Sequence, residues 1–69
     1  MLKMSEKSKA FIQKNIPSAL GMEKLGDVLN ALFELIEDKG YAPPNYYDYN
    51  DFGREAQKVY DDVFLSNTD

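Results

Sequence analysis

Cysteine, histidine and tryptophan are all absent from this 69-residue chain. Without cysteine there is no disulfide framework, no thiolate nucleophile and no thiolate metal site. Without histidine the usual general base near neutral pH is missing, and a zinc site would have to be built from carboxylates alone. The chain also lacks any run of roughly 20 apolar residues, so no membrane span is expected. Its opening, MLKMSEKSKAFIQK, has neither a long apolar stretch nor a small-residue cleavage site, which argues against a signal peptide. Small secreted domains more often carry disulfides, and a cytoplasmic location is therefore expected. The four glycines, Gly21, Gly26, Gly40 and Gly53, are too widely spaced for a phosphate-binding loop and adjoin no strand and lysine. No catalytic residue and no cofactor-binding motif emerges, so the chain does not read as an enzyme.

What is present fits one small folded unit. Hydrophobic residues make up 43% of the chain against 29% charged, close to globular averages, so wholesale disorder is not expected. A chain of about 60 residues buries only about 60% of its unfolded surface, which argues against a deep enclosed active site and makes self-association a natural supplement to stability.

The charge is negative and uneven. The net charge of −4 is concentrated in the second half: residues 1–36 carry five lysines against four carboxylates, whereas residues 37–69 carry eight carboxylates against Lys39, Arg54 and Lys58. Such a half repels phosphates and attracts basic protein surfaces, so a protein partner is expected rather than nucleic acid. An acidic inhibitor that imitates nucleic acid is a lower-ranked reading, because −4 is modest for that purpose.

Three helical segments follow from the apolar spacing. Ser5 and Ser8 are candidate caps for a first helix over about 5–15 with Ala10, Phe11 and Ile12 as its apolar residues, stopped by Pro17. Met22, Leu25, Leu29, Leu32 and Ile36 recur at spacings of three and four, widened by Leu20, Val28, Phe33 and Leu35, and predict a central helix over about 19–39. Ser18 is its candidate cap, Gly26 a point of close helix approach, and Gly40 a left-handed stop. Phe52, Ala56, Val59 and Val63 predict a third helix over about 49–65, capped by Asp48 or Asn50, with 66–69 as a frayed tail. Gly53 reads as flexibility near that helix start. The expected fold is therefore all-α, a small three-helix bundle with an extended Pro/Tyr loop between the second and third helices.

That loop, YAPPNYYDY, holds four of the five tyrosines: Tyr41, Tyr46, Tyr47 and Tyr49. Tyrosine combines a large apolar ring, few rotatable bonds and a hydroxyl that tolerates water, while Pro43 and Pro44 limit the states of the backbone. Two uses fit: rings folded back over the open end of a small core, or an exposed epitope. In the second use Tyr46, Tyr47, Asp48, Tyr49 and Asp51 form the partner-binding set, aromatic anchors with an acidic rim facing a basic surface. The alternating DYNDFG at 48–53 resembles a calcium loop only superficially, since Phe52 and Val59 stand where oxygen ligands belong. The leading expectation is a protein-binding module acting through this loop. The alternative is a homodimer or assembly subunit that packs through its central helix, which carries about two heptads of apolar repeat.

Overall fold

The computed structural model describes residues 2–43 and 48–68. It contains three α-helices, α1 (Glu6–Asn15), α2 (Leu25–Lys39) and α3 (Asp51–Asn67), and a short 3-10 helix at Pro17–Gly21. Among the described residues there is no strand, only an isolated antiparallel bridge between Tyr41 and Tyr49. No helix there is long and apolar enough to cross a membrane. The Cα radius of gyration is 11.8 Å, close to the roughly 11 Å expected of a compact chain this long.

Ser5 starts α1. Its extended backbone and its hydroxyl, which accepts from the Ser8 N–H at 3.2 Å, satisfy one of the unpaired donors of the first turn. Phe11 and Ile12 are buried, and Ala10 faces solvent. The helix ends at Asn15 because Ile16 precedes Pro17 and takes a non-helical conformation, φ −143° and ψ 63°.

The central helix begins at Leu25, later than the expected residue 19. Pro17 opens a 3-10 turn instead, closed by the Ala19 N–H on the Ile16 carbonyl at 2.9 Å, and Met22 then runs extended. Ser18 therefore caps nothing in α2, whose N-cap position is Lys24 without a side-chain bond. Val28, Leu32 and Ile36 form the buried line of α2, with Leu25, Leu29 and Leu35 partly buried beside it. Gly40 ends the helix in the right-handed region, φ −93° and ψ 0°, so the left-handed cap is not formed.

Asn50, and not Asp48, caps α3. Its Oδ1 accepts from the Gly53 N–H at 2.7 Å, and Asp51 stands in the first turn, where its charge meets the positive end of the helix dipole. Ala56, Val59 and Val63 are buried, and the Phe52 ring tilts against Phe11 with centroids 5.4 Å apart. The helix runs to Asn67, so residues 66 and 67 are not a frayed tail. The Asn67 amide grips the Lys3 backbone twice, accepting from its N–H at 2.9 Å and donating to its carbonyl at 2.7 Å. Asp69 lies outside the described residues.

The core draws on every element: Phe11, Ile12, Ala19, Val28, Leu32, Ile36, Ala56, Val59 and Val63. Ile12, Val28, Leu32 and Val63 are the largest fully buried side chains, and each contributes roughly 1.5–3 kcal/mol by leaving water. Leu2 and Met4 pack against this core, held there by the Lys3–Asn67 clasp and by the Asp62 carboxylate, which accepts from the Ser5 N–H at 2.9 Å.

Candidate functional site

The loop between α2 and α3 is closed at its base by four hydrogen bonds. The Ala42 N–H donates to the Asp48 carbonyl at 2.9 Å and the Asn50 N–H to the Gly40 carbonyl at 2.9 Å. The Asn50 side chain donates to the Lys39 carbonyl at 2.8 Å and, more weakly, to the Tyr41 carbonyl at 3.4 Å. One asparagine thus caps α3 and satisfies a carbonyl left free at the end of α2. Tyr46 and Tyr47 belong to residues 44–47, which lie outside the described residues.

Above this clamp the Tyr41 and Tyr49 rings stack, centroids 5.3 Å apart and planes tilted by 37°. Both are half-buried. The Tyr49 hydroxyl donates to Gln57 Oε1 at 3.2 Å, and the Gln57 amide donates to Asp61 Oδ1 at 3.0 Å, so a polar relay leads from the loop along one flank of α3. Partial burial raises the Tyr41 pKa, and the neighbouring Tyr49 phenol and Glu37 carboxylate push it the same way. Tyr41, Tyr49, Gln57 and Asp61 are therefore linked in turn, from just past the end of α2 to the middle of α3.

Of the five residues expected to form the site, Asp48 and Asp51 are exposed and Tyr49 is half-buried. Asp51 does not join the tyrosine pair. It pairs with Arg54 at 3.2 Å, an ion pair open to solvent that contributes at most about 1 kcal/mol, and it stands six residues before Gln57, roughly 120° away around α3. On that side Asp51 borders a cleft of about 630 Å³ between the start of α1 and α3, with Lys7, Arg54 and Lys58 set against Asp51, Glu55 and Asp62. The cleft is balanced in charge. Its buried hydroxyl, Ser8, is already bonded to Ser5 at 3.2 Å.

The partner-binding set expected from the sequence leaves out Tyr41, Glu37, Gln57 and Asp61. A faint signal exists, since Glu37 and Tyr41 are four apart, as are Gln57 and Asp61, but neither spacing shows that the two pairs meet. In DYNDFG, Asn50 is used as a helix cap and Phe52 as a packing residue. Among the described residues, no three of His, Cys, Asp and Glu gather as metal ligands, and no buried side-chain polar atom lacks a partner. The groups free to engage another molecule are thus at the surface. Compared with protein-family models, curated proteins and solved structures, the chain has no significant match.

Proposed function

We propose that this chain is a small protein-binding module whose contact surface is the loop joining α2 and α3 together with the residues its base holds, and whose partner presents a basic surface. The observation that carries this reading is the clamped Tyr41–Tyr49 pair. Two half-buried phenol rings stack on a loop base closed by the Asn50 hydrogen bonds, Gln57 accepts from the Tyr49 hydroxyl, and Asp48, next to Tyr49 in the chain, and Asp61, bonded to Gln57, are exposed carboxylates. Rings already held in place lose little freedom on binding, which favours them as contact anchors. The acidic rim supplies electrostatic attraction to a cationic partner and speeds encounter.

The test is recovery of a partner from cell extract by the tagged chain. Tyr46→Ala, Tyr47→Ala and Asp48→Ala are each expected to reduce recovery while the helical circular dichroism signal persists, and recovery is expected to fall as salt rises. Recovery unchanged by all three substitutions in a folded chain would count against the reading.

A further inference from the structure

Tyr41 and Tyr49 stand directly opposite one another in the antiparallel bridge at the base of the loop. The two backbone bonds beside them, from the Ala42 N–H to the Asp48 carbonyl and from the Asn50 N–H to the Gly40 carbonyl, fall one residue to either side, which makes the tyrosines a non-hydrogen-bonded pair. In such a pair the Cα atoms are about 4.5 Å apart, closer than in the hydrogen-bonded kind, and both side chains rise on the same face. The rings accordingly meet, with centroids 5.3 Å apart and planes tilted by 37°. Asn50 fixes the register through its bonds to the Lys39 and Tyr41 carbonyls, and the Tyr49 hydroxyl is tethered to Gln57. Among the described residues no other two tyrosine rings pair, the remaining ring contact being that of Phe11 with Phe52.

Two phenols placed in this way have a chemistry that neither has alone. A phenol that loses one electron and its proton becomes a radical whose unpaired electron is shared between the oxygen and the two ring carbons next to it. Two such radicals join carbon to carbon when they meet, and a pair already in contact is spared the search for a partner. Both rings are half-buried, so each stays open to a small oxidant and to water that takes up the proton. The chain has no cysteine and no tryptophan to compete for the oxidant.

We infer that Tyr41 and Tyr49 are a modification site at which hydrogen peroxide, used by a haem peroxidase, joins the two rings into a dityrosine staple. Each phenol gives up one electron and one proton, the two ortho carbons bond, and the hydrogens they carried move to the oxygens as the rings become aromatic again. The chain loses two hydrogens, and one hydrogen peroxide takes the two electrons and two protons to become two waters. The new bond ties the residue after Gly40, which ends α2, to the residue before Asn50, which caps α3. It makes covalent the closure that the Asn50 hydrogen bonds provide, in a chain that cannot form a disulfide.

The experiment treats the full chain, at high dilution, with a haem peroxidase and hydrogen peroxide. The expected product is a single chain lighter by two hydrogens, with the blue fluorescence of dityrosine and a cross-link that peptide mapping places between Tyr41 and Tyr49. Tyr41→Phe and Tyr49→Phe, which remove only a hydroxyl, are each expected to lower its yield at least about tenfold, because the remaining phenols must find one another by diffusion. Tyr46→Phe, Tyr47→Phe and Tyr60→Phe are expected to leave the yield unchanged. The stapled chain is expected to unfold about 10 °C higher than the untreated one, since the bond restricts the unfolded state. A cross-link that maps to Tyr46, Tyr47 or Tyr60, one that forms solely between chains, or a yield indifferent to Tyr41→Phe overturns the inference. A stapled chain that unfolds at a lower temperature than the untreated one overturns it as well, because the rings would then have to leave their folded positions to bond.

Discussion

Gly40 and Gly53 let α2 and α3 meet backbone to backbone. A Cβ on Gly53 would overlap the Gly40 carbonyl oxygen and stand 2.9 Å from the Gly40 Cα, and a Cβ on Gly40 would stand 2.6 Å from the Ile36 carbonyl and 3.1 Å from the Gly53 Cα. Both glycines are buried, and neither requires a left-handed backbone. Their role is the missing side chain. This contact sets the distance between the two helices at the point where the loop clamp begins.

Gly53→Ala is therefore expected to destabilise the fold by about 2–3 kcal/mol, because overlap with backbone outweighs the roughly 1 kcal/mol helix preference of alanine over glycine. Gly26→Ala is expected to have the opposite sign, stabilising by about 0.5 kcal/mol, since its surroundings are open and it lies in the first turn of α2. Urea denaturation of the two variants checks the pair, and equal effects would show that the glycine contact is not tight.

Asn50 joins three functions in one side chain, and its variants separate them. Asn50→Ala removes the Gly53 cap and both bonds to the end of α2, with an expected cost of about 2 kcal/mol. Asn50→Asp keeps an acceptor for the cap but loses the donor to Lys39 and Tyr41, so its stability should fall between alanine and the native residue. Hydrogen exchange at Ala42 and Gly53 reads the two losses separately.

Asp62 links stability to pH. Its pKa lies below the usual 3.8, chiefly through the Ser5 backbone N–H and then the Ser8 hydroxyl, with burial opposing more weakly and the Ser5 and Ser66 hydroxyls helping. A carboxylate whose folded pKa is depressed favours the fold when charged. Its contribution is complete above about pH 5 and is lost as pH falls below its unfolded value and through the folded one. Asp62→Ala should lower stability at pH 6 by about 0.5–1 kcal/mol and flatten the acid side of the stability curve below pH 4. An unchanged acid slope in the variant would assign that slope to other carboxylates.

Leu32 and Phe33 are adjacent and should respond in opposite ways. Leu32 is fully buried, so Leu32→Ala is expected to cost about 3 kcal/mol through lost burial and the cavity left behind. Phe33 is half exposed, and Phe33→Ser should change stability by less than about 1 kcal/mol. Thermal unfolding measures both, and a large loss at Phe33 would mean that the ring serves the core.

Apolar spacing, cap chemistry and proline placement were enough to find three helices, an intervening loop and an acidic second half, because these depend on neighbours within about one helical turn. The absence of cysteine and histidine likewise restricts the chemistry whatever the fold. The reading failed where a choice depended on a distant element. Pro17 and Gly21 turned the expected start of α2 into a 3-10 turn, and Asn50 prevailed over Asp48 as the cap because only its amide also reaches Lys39 across the loop. Gly26 and Gly53 exchanged roles for the same reason: a glycine in sequence does not say which backbone lies opposite it.

What this sequence determined by itself is the set of amphipathic helices and the acidic, tyrosine-rich segment between two of them. Only the tertiary structure decided that Tyr41 stacks on Tyr49, that Asp51 turns to the far side of α3, and that Phe33 and Phe64 remain outside. The physical reason is that periodicity gives the angle of each side chain around its own helix, whereas burial depends on where the other helices lie, and that is set by contacts between residues far apart in the chain.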